Sequence, residues 1–165
     1  MSLARPSRRR DTSRNTGMAT KYASESVGSS PPSTSVAVSK SMKANKSPGT
    51  GPELLLARQL RRRLRRHNLP GHPDFAYRNE RVAVFVHGCW WHRCPIENYP
   101  LPKSHRGYWR RKFARNVERD QINRQALEKM GWSVVEIWEH EVRDSPVKAA
   151  NRVRDAVAMR KRHLA

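Results

Sequence analysis

Two histidines, two cysteines and two adjacent tryptophans fall within eight residues, His87-Gly88-Cys89-Trp90-Trp91-His92-Arg93-Cys94. Thiolates in a Cys-x4-Cys loop suit Zn²⁺, which takes four N or S ligands, so Cys89 and Cys94 offer half a site. His140, in Trp138-Glu139-His140-Glu141, is the best candidate to extend it. Neighbouring tryptophans in a loop suit stacking on bases or wedging between them; the alternative is a small satellite core around the loop. Asp74 follows Pro73 at the end of a Pro/Gly-rich connector. A carboxylate there can bind Mg²⁺, which prefers hard oxygen ligands, or serve only as a turn residue. Glu53 already has work as a helix-capping group.

Such side chains need elements to hold them. Thr50-Gly51-Pro52-Glu53 is a capping-box start with Pro in the first turn, and Leu56, Leu60 and Leu64 follow at helical spacing. Arg58, Arg61, Arg62, Arg65 and Arg66 form the opposite face of that helix. Val82-Ala83-Val84-Phe85-Val86 is an apolar run without alternation, the pattern of a strand buried on both faces. A long helix is expected over 106–130, closed by Gly131, then a strand around Val134, Val135 and Ile137, then a basic helix over 146–162. The apolar stripe of the long helix is Trp109, Phe113, Leu127 and Met130, and i+3/i+4 steps place Asn116, Asp120 and Asn123 on the same face. A carboxylate on that face requires a partner, either a neighbouring Arg or a catalytic imidazole that it orients. The order of elements implies a mixed α/β layered domain.

Composition bounds the partner. Lys and Arg number 34 against 14 acidic residues, a formal charge of +20. Such an excess favours a polyanion, because each neutralised phosphate releases condensed counterions. Residues 1–49 are rich in Ser, Thr, Arg, Gly and Pro and poor in large apolar residues, so a disordered basic arm is expected there and a single folded domain over 50–165. No stretch approaches the roughly 18 apolar residues of a membrane span, and a cytoplasmic monomer is expected. Two cysteines make a disulfide scaffold improbable and point to reduced or metal-bound thiols.

The blocks Ser41-Met42, Gly51-Pro52-Glu53-Leu54, Leu69-Pro70-Gly71-His72-Pro73-Asp74-Phe75, Val84-Phe85-Val86-His87-Gly88-Cys89-Trp90-Trp91-His92, Tyr108-Trp109, Asn116-Val117-Glu118-Arg119-Asp120 and Gly131-Trp132…Trp138-Glu139 resemble, in order and spacing, the very short patch repair endonucleases. The resemblance covers roughly residues 39–143. It implies a restriction-endonuclease-like mixed sheet flanked by helices, Mg²⁺-dependent nicking of double-stranded DNA beside a T·G mismatch, and one structural Zn²⁺. It also implies a functional link to a cytosine-5 DNA methyltransferase and work at the bacterial nucleoid. By position, Asp74 matches the Mg²⁺-binding aspartate, with the backbone carbonyl of Val86 as second protein ligand. His92 matches the histidine that activates the attacking water, His87 and Asp120 the supporting polar pair, and Glu53 the acidic residue of the first helix. Trp90, Trp91 and Trp109 match the aromatics that enter the duplex, and Cys89 the first zinc ligand. No Glu-x-Lys follows Asp74, since Glu80 precedes Arg81 and Val82, which favours histidine-based water activation over the ordinary restriction-enzyme arrangement.

The chain departs from the family in two places. Between Glu53 and Asp74 it is several residues short where an apolar strand is expected, with Arg65-Arg66-His67 in its stead. Cys94 also lies closer to Cys89 than in the best-known pattern, and His140 stands where a Cys is often found. The fourth zinc ligand is left open between Glu97 and His92. The competing classes are a non-catalytic, zinc-containing DNA-binding module, a restriction nuclease acting on paired DNA, and an RNA-binding protein.

Overall fold

A computed structural model of the chain describes residues 49–64 and 67–164. The expected basic arm, all but Gly49, lies outside the described residues, as do Arg65 and Arg66. The elements are helix α1 (Gly51–Leu60), strands β1 (Phe75–Tyr77) and β2 (Val82–His87), helix α2 (Arg106–Lys129), strand β3 (Ser133–Trp138), and helices α3 (Glu139–Asp144) and α4 (Pro146–Leu164). The sheet order is β1-β2-β3, with β1 antiparallel and β3 parallel to β2. This is the mixed α/β domain that the sequence implies. Among the described residues no strand lies between α1 and β1, where the connector is short.

The start of α1 follows from its sequence. The Glu53 carboxylate accepts hydrogen bonds from the Gly49 and Thr50 amides, at 3.1 and 3.3 Å, and from the Thr50 hydroxyl at 2.8 Å. It thereby satisfies amides that a helix start leaves unpaired. The helix stops one turn short of the expected leucine stripe, at Arg61 in the left-handed region, yet Leu64 still packs against the core.

The core lies on one face of the sheet. Val82, Val84 and Ile137, all fully buried, meet Leu56 and Ala57 of α1, Val142 of α3, and Ala149, Ala150 and Val153 of α4. Each such Val, Leu or Ile contributes about 1.5–3 kcal/mol by leaving water. Pleating turns Phe85, His87, Val134, Glu136 and Trp138 to the other face, the one that α2 borders. The expectation of a β2 buried on both faces therefore holds only for its first half. Val82, Ala83 and Val84 are buried, whereas Phe85 and Val86 are half-buried beside an open cleft.

Helix α2 ends as its sequence predicts. Gly131 has φ +79°, and the Gly131 and Trp132 amides donate to the Glu128 and Leu127 carbonyls, both at 2.9 Å, a Schellman closure. Trp109, Phe113 and Leu127 are buried, but Met130 is 51% exposed. That end of the apolar stripe is corrected, because the chain turns away at Gly131 before Met130 can pack. Helix α3 was not foreseen; six residues with an acid at each end and a single aliphatic residue, Val142, give no apolar period to read.

Candidate active site and metal centre

Strand register brings the chemistry to one end of the sheet. In the parallel β2–β3 pair, His87 lies opposite Trp138. Two residues beyond each partner come Cys89 and His140, so both chains leave the sheet side by side. The Cys89 and Cys94 sulfurs lie 3.3 and 3.5 Å from His140 Nδ1, and all three residues are buried. The turn is closed by the Cys94 amide on the Cys89 carbonyl at 2.9 Å and by the His92 amide on the Gly88 carbonyl at 3.1 Å. The Glu139 carboxylate accepts the Cys89 amide at 3.1 Å, tying the loop to the start of α3. The donor set of two sulfurs and one imidazole nitrogen fits Zn²⁺. Burial pushes the Cys89 thiol up to about 11, so its ionisation calls for a cation. Glu97 donates its amide to Cys94 Sγ at 3.5 Å, but its carboxylate is engaged by Tyr99 and Arg143.

Asp74 reaches the same end from β1. Phe75 pairs with Val84, the Asp74 amide donates to the Val84 carbonyl at 2.9 Å, and Asp74 Oδ2 accepts the Val86 amide at 2.7 Å. Burial lifts the Asp74 carboxyl from 3.8 to about 6, against the pull of the Val86 hydrogen bond and with a further push from Glu53. A half-buried carboxylate short of positive partners, beside a backbone strand, is a position that a hard cation would stabilise.

Across the cleft, His92 Nδ1 and Asp120 Oδ2 are 2.5 Å apart. Helix α2 therefore supplies the carboxylate that the long-helix pattern placed on this face, and its partner is the imidazole rather than an Arg. The His87 ring lies 4.5 Å from that of His92, and His87 Nε2 is 3.8 Å from Glu136 Oε1, within ion-pair range but too long for a hydrogen bond. Glu136 also binds Arg124 at 3.0 Å; His87 first, and Arg124 with it, hold its carboxyl below the usual range. Asp74, Val86, His87, His92 and Asp120 all line one cleft of about 460 Å³, together with Arg119, Asn123, Arg124 and Glu136. Gly71, at φ +75°, borders it so closely that a Cβ would meet Asn123 at 2.9 Å.

Of the predicted site residues, Glu53 does not line the cleft, since its carboxylate caps α1, yet it lies near enough to Asp74 to push that carboxyl up. The loop tryptophans are partly covered, as in a satellite core, and Trp109 is buried as its place on the apolar stripe implies. Trp90 and Trp91 are half-buried, and Trp109 is buried, 7% exposed. Trp90 stacks edgewise on Trp91, Phe113 and Trp109, with ring centroids 4.5, 4.8 and 5.2 Å away. Edge-to-face packing with α2 explains this partial burial, since a helix Phe and Trp supply the wall that a loop alone lacks. Lys112 Nζ lies 5.2–5.6 Å from the rings of Trp91, Trp109 and Tyr108. Glu136, Arg119 and Arg124 were missed. The signal for Glu136 was a lone carboxylate in the apolar strand Ser133-Val134-Val135-Glu136-Ile137-Trp138, on the face of Val134 and Trp138.

Carboxylates, imidazoles and guanidinium groups lining one cleft are suited to phosphodiester hydrolysis, and the comparisons with known proteins agree. Residues 33–97 match the family model for the DNA mismatch endonuclease Vsr. The Type II nicking enzyme V.NaeI of Lentzea aerocolonigenes is 38% identical over 67% of this chain and 72% of its own. V.NmeDIP of Neisseria meningitidis serogroup C is 38% identical over 72% of this chain and 84% of its own. The DNA mismatch endonuclease Vsr of Escherichia coli K12 is 36% identical over 52% of this chain and 55% of its own. The protein is a DNA endonuclease. It belongs to the Vsr DNA mismatch endonuclease family.

Proposed function

We propose that the protein nicks one strand of duplex DNA beside a T·G mismatch, by Mg²⁺-dependent hydrolysis at the cleft between β2 and α2. The carrying observation is that Asp74 and the His92–Asp120 pair line the same cleft. Asp74, with the backbone carbonyl of Val86, would hold Mg²⁺; such an ion supplies charge stabilisation to the scissile phosphate and its leaving oxygen. Asp120 accepts the Nδ1 proton of His92, which fixes the tautomer and leaves Nε2 as the basic atom. His92 Nε2 then takes the proton of the attacking water, and Asp120 offsets the charge that develops on the ring. His87 and Arg124, ordered around Glu136, keep the far wall of the cleft in place.

Recognition falls to the aromatic cluster and the basic first half of α2, where Arg106, Arg110, Arg111, Lys112 and Arg115 stand without an acidic residue. Trp90 and Trp91 directly precede the cleft residue His92, half-exposed, with Trp90 backed by Trp109 and Phe113. They would wedge into a mispaired step, which costs less to unstack than a matched one. Cys89, Cys94 and His140 would hold Zn²⁺, which would fix the loop that carries His92 and both tryptophans and so serve position rather than chemistry. The protein works in the cytoplasm at the nucleoid, and its substrate is the product of deamination at sites of a cytosine-5 methyltransferase. Among the described residues, no helix is long and apolar enough to cross a membrane.

The test is a duplex with one T·G mismatch against its matched counterpart, each with and without Mg²⁺. Nicking of the mismatched strand alone, only with Mg²⁺, is expected. Cutting of the matched duplex instead would make the protein a restriction nuclease, and mismatch binding without cutting would make it a non-catalytic module.

A further inference from the structure

The cleft contains a second constellation of donors besides the oxygens at Asp74. One donor atom each from His87, His92 and Asp120 lies within 4.8 Å of the others. They come from three places, the end of β2, the following loop and the middle of α2, and the two rings face each other at 4.5 Å. Two imidazole nitrogens and one carboxylate oxygen are a poor set for Mg²⁺, which wants six oxygens, and a good one for Zn²⁺, Co²⁺ or Ni²⁺. We propose that His87, His92 and Asp120 form a transition-metal site separate from the Asp74 position, and that Zn²⁺ bound there arrests strand cleavage.

The geometry needs little adjustment. Ligands about 2.0–2.1 Å from a tetrahedral ion stand roughly 3.3 Å apart. The His92–Asp120 contact of 2.5 Å opens by less than an ångström, and the remaining separations close from no more than 4.8 Å. Glu136, already 3.8 Å from His87 Nε2, is placed at the rim to add a fourth oxygen or to hold a bound water. The consequence for cleavage rests on the reading of His92 as proton acceptor. A neutral imidazole with one nitrogen on a metal carries its proton on the other, so no lone pair remains for the water. The site would act as a brake that Mg²⁺ does not relieve, because Mg²⁺ and Zn²⁺ do not share the donors.

The experiment uses the full chain as purified, with its thiolate site filled, and Co²⁺ as probe. One additional Co²⁺ per chain is expected, with visible d–d absorption but none of the thiolate-to-metal charge transfer that a Cys-bound ion shows. Zn²⁺ displaces this Co²⁺, and the same Zn²⁺ concentration stops nicking in excess Mg²⁺. Asp120→Asn and, separately, His87→Gln lose the additional ion while keeping the thiolate-bound one and a cooperative melt. No additional ion, or one retained in both variants, overturns the site. Binding in the wild type without arrest overturns the brake and, with it, His92 as the base. The Co²⁺ spectrum decides the site even if the protein nicks no mismatched duplex.

Discussion

Asp74 stores free energy that its replacement should release. Burial lifts its carboxyl from 3.8 to about 6, which corresponds to about 3 kcal/mol of preference for the neutral form in the folded state. The sign follows from proton binding. Between the unfolded value and about 6 the folded chain holds a proton that the unfolded chain has lost, so stability falls as pH rises through that window. Above it the full cost of an ionised, desolvated carboxylate is present. Asp74→Asn keeps an oxygen for the Val86 amide, 2.7 Å away in the wild type, and removes the charge. In Mg²⁺-free buffer at pH 8 the variant should be more stable by up to about 3 kcal/mol, roughly 10 °C in Tm for a folded unit of this size. At pH 4 the two proteins should melt nearly together. Mg²⁺ should stabilise the wild type by about 2.7 kcal/mol at a hundredfold excess over Kd, raising its Tm, and leave the variant unmoved. The assay is thermal melting across pH 4–8 with and without Mg²⁺, without chelators that would strip the thiolate site. Equal melting at pH 8, or a gap independent of pH, would refute the reasoning, because an unstrained Asp74 has no charge awaiting a cation.

Asp74→Ala should abolish nicking and leave duplex affinity within a few-fold, measured by gel shift; loss of binding with cutting would make Asp74 structural. Asp120→Asn should lower the single-turnover nicking rate about 10²–10⁴-fold, the usual span of general-base catalysis, because His92 loses the carboxylate that orients it, with unchanged DNA affinity. A drop of only a few-fold would remove His92–Asp120 from the reaction. Elemental analysis should find about one Zn²⁺ per chain, and Cys89→Ser should lose it together with the cooperative melt; a metal-free, folded wild type would contradict this. Trp91→Ala should weaken binding of the T·G duplex by about 1–3 kcal/mol, one stacked base, with less effect on matched DNA. Equal losses on both duplexes would assign Trp91 to the aromatic core instead.

The local statements were legible in the chain because they depend on neighbours in sequence. The capping glutamate at 53, the Gly131 closure, the apolar strand at 82–86 and the stripe that carries Asp120 are all short-range patterns. Cys89 and Cys94 were visible as half a metal site for the same reason. The pairing of residues far apart came only with tertiary structure. Parallel register sets Cys89 beside His140, antiparallel register sets Asp74 against Val86, and the crossing of α2 over the sheet brings Asp120 to His92. No local propensity encodes those distances, since they depend on which strand edges pair and in what register. The partial burial of Trp90 and Trp91 was likewise a tertiary result, because the surface they rest on belongs to a helix that begins fifteen residues beyond Trp91. Glu136 escaped notice for a related reason. Its sequence shows one acid in a strand, and only the neighbouring His87 and Arg124 give that acid a purpose.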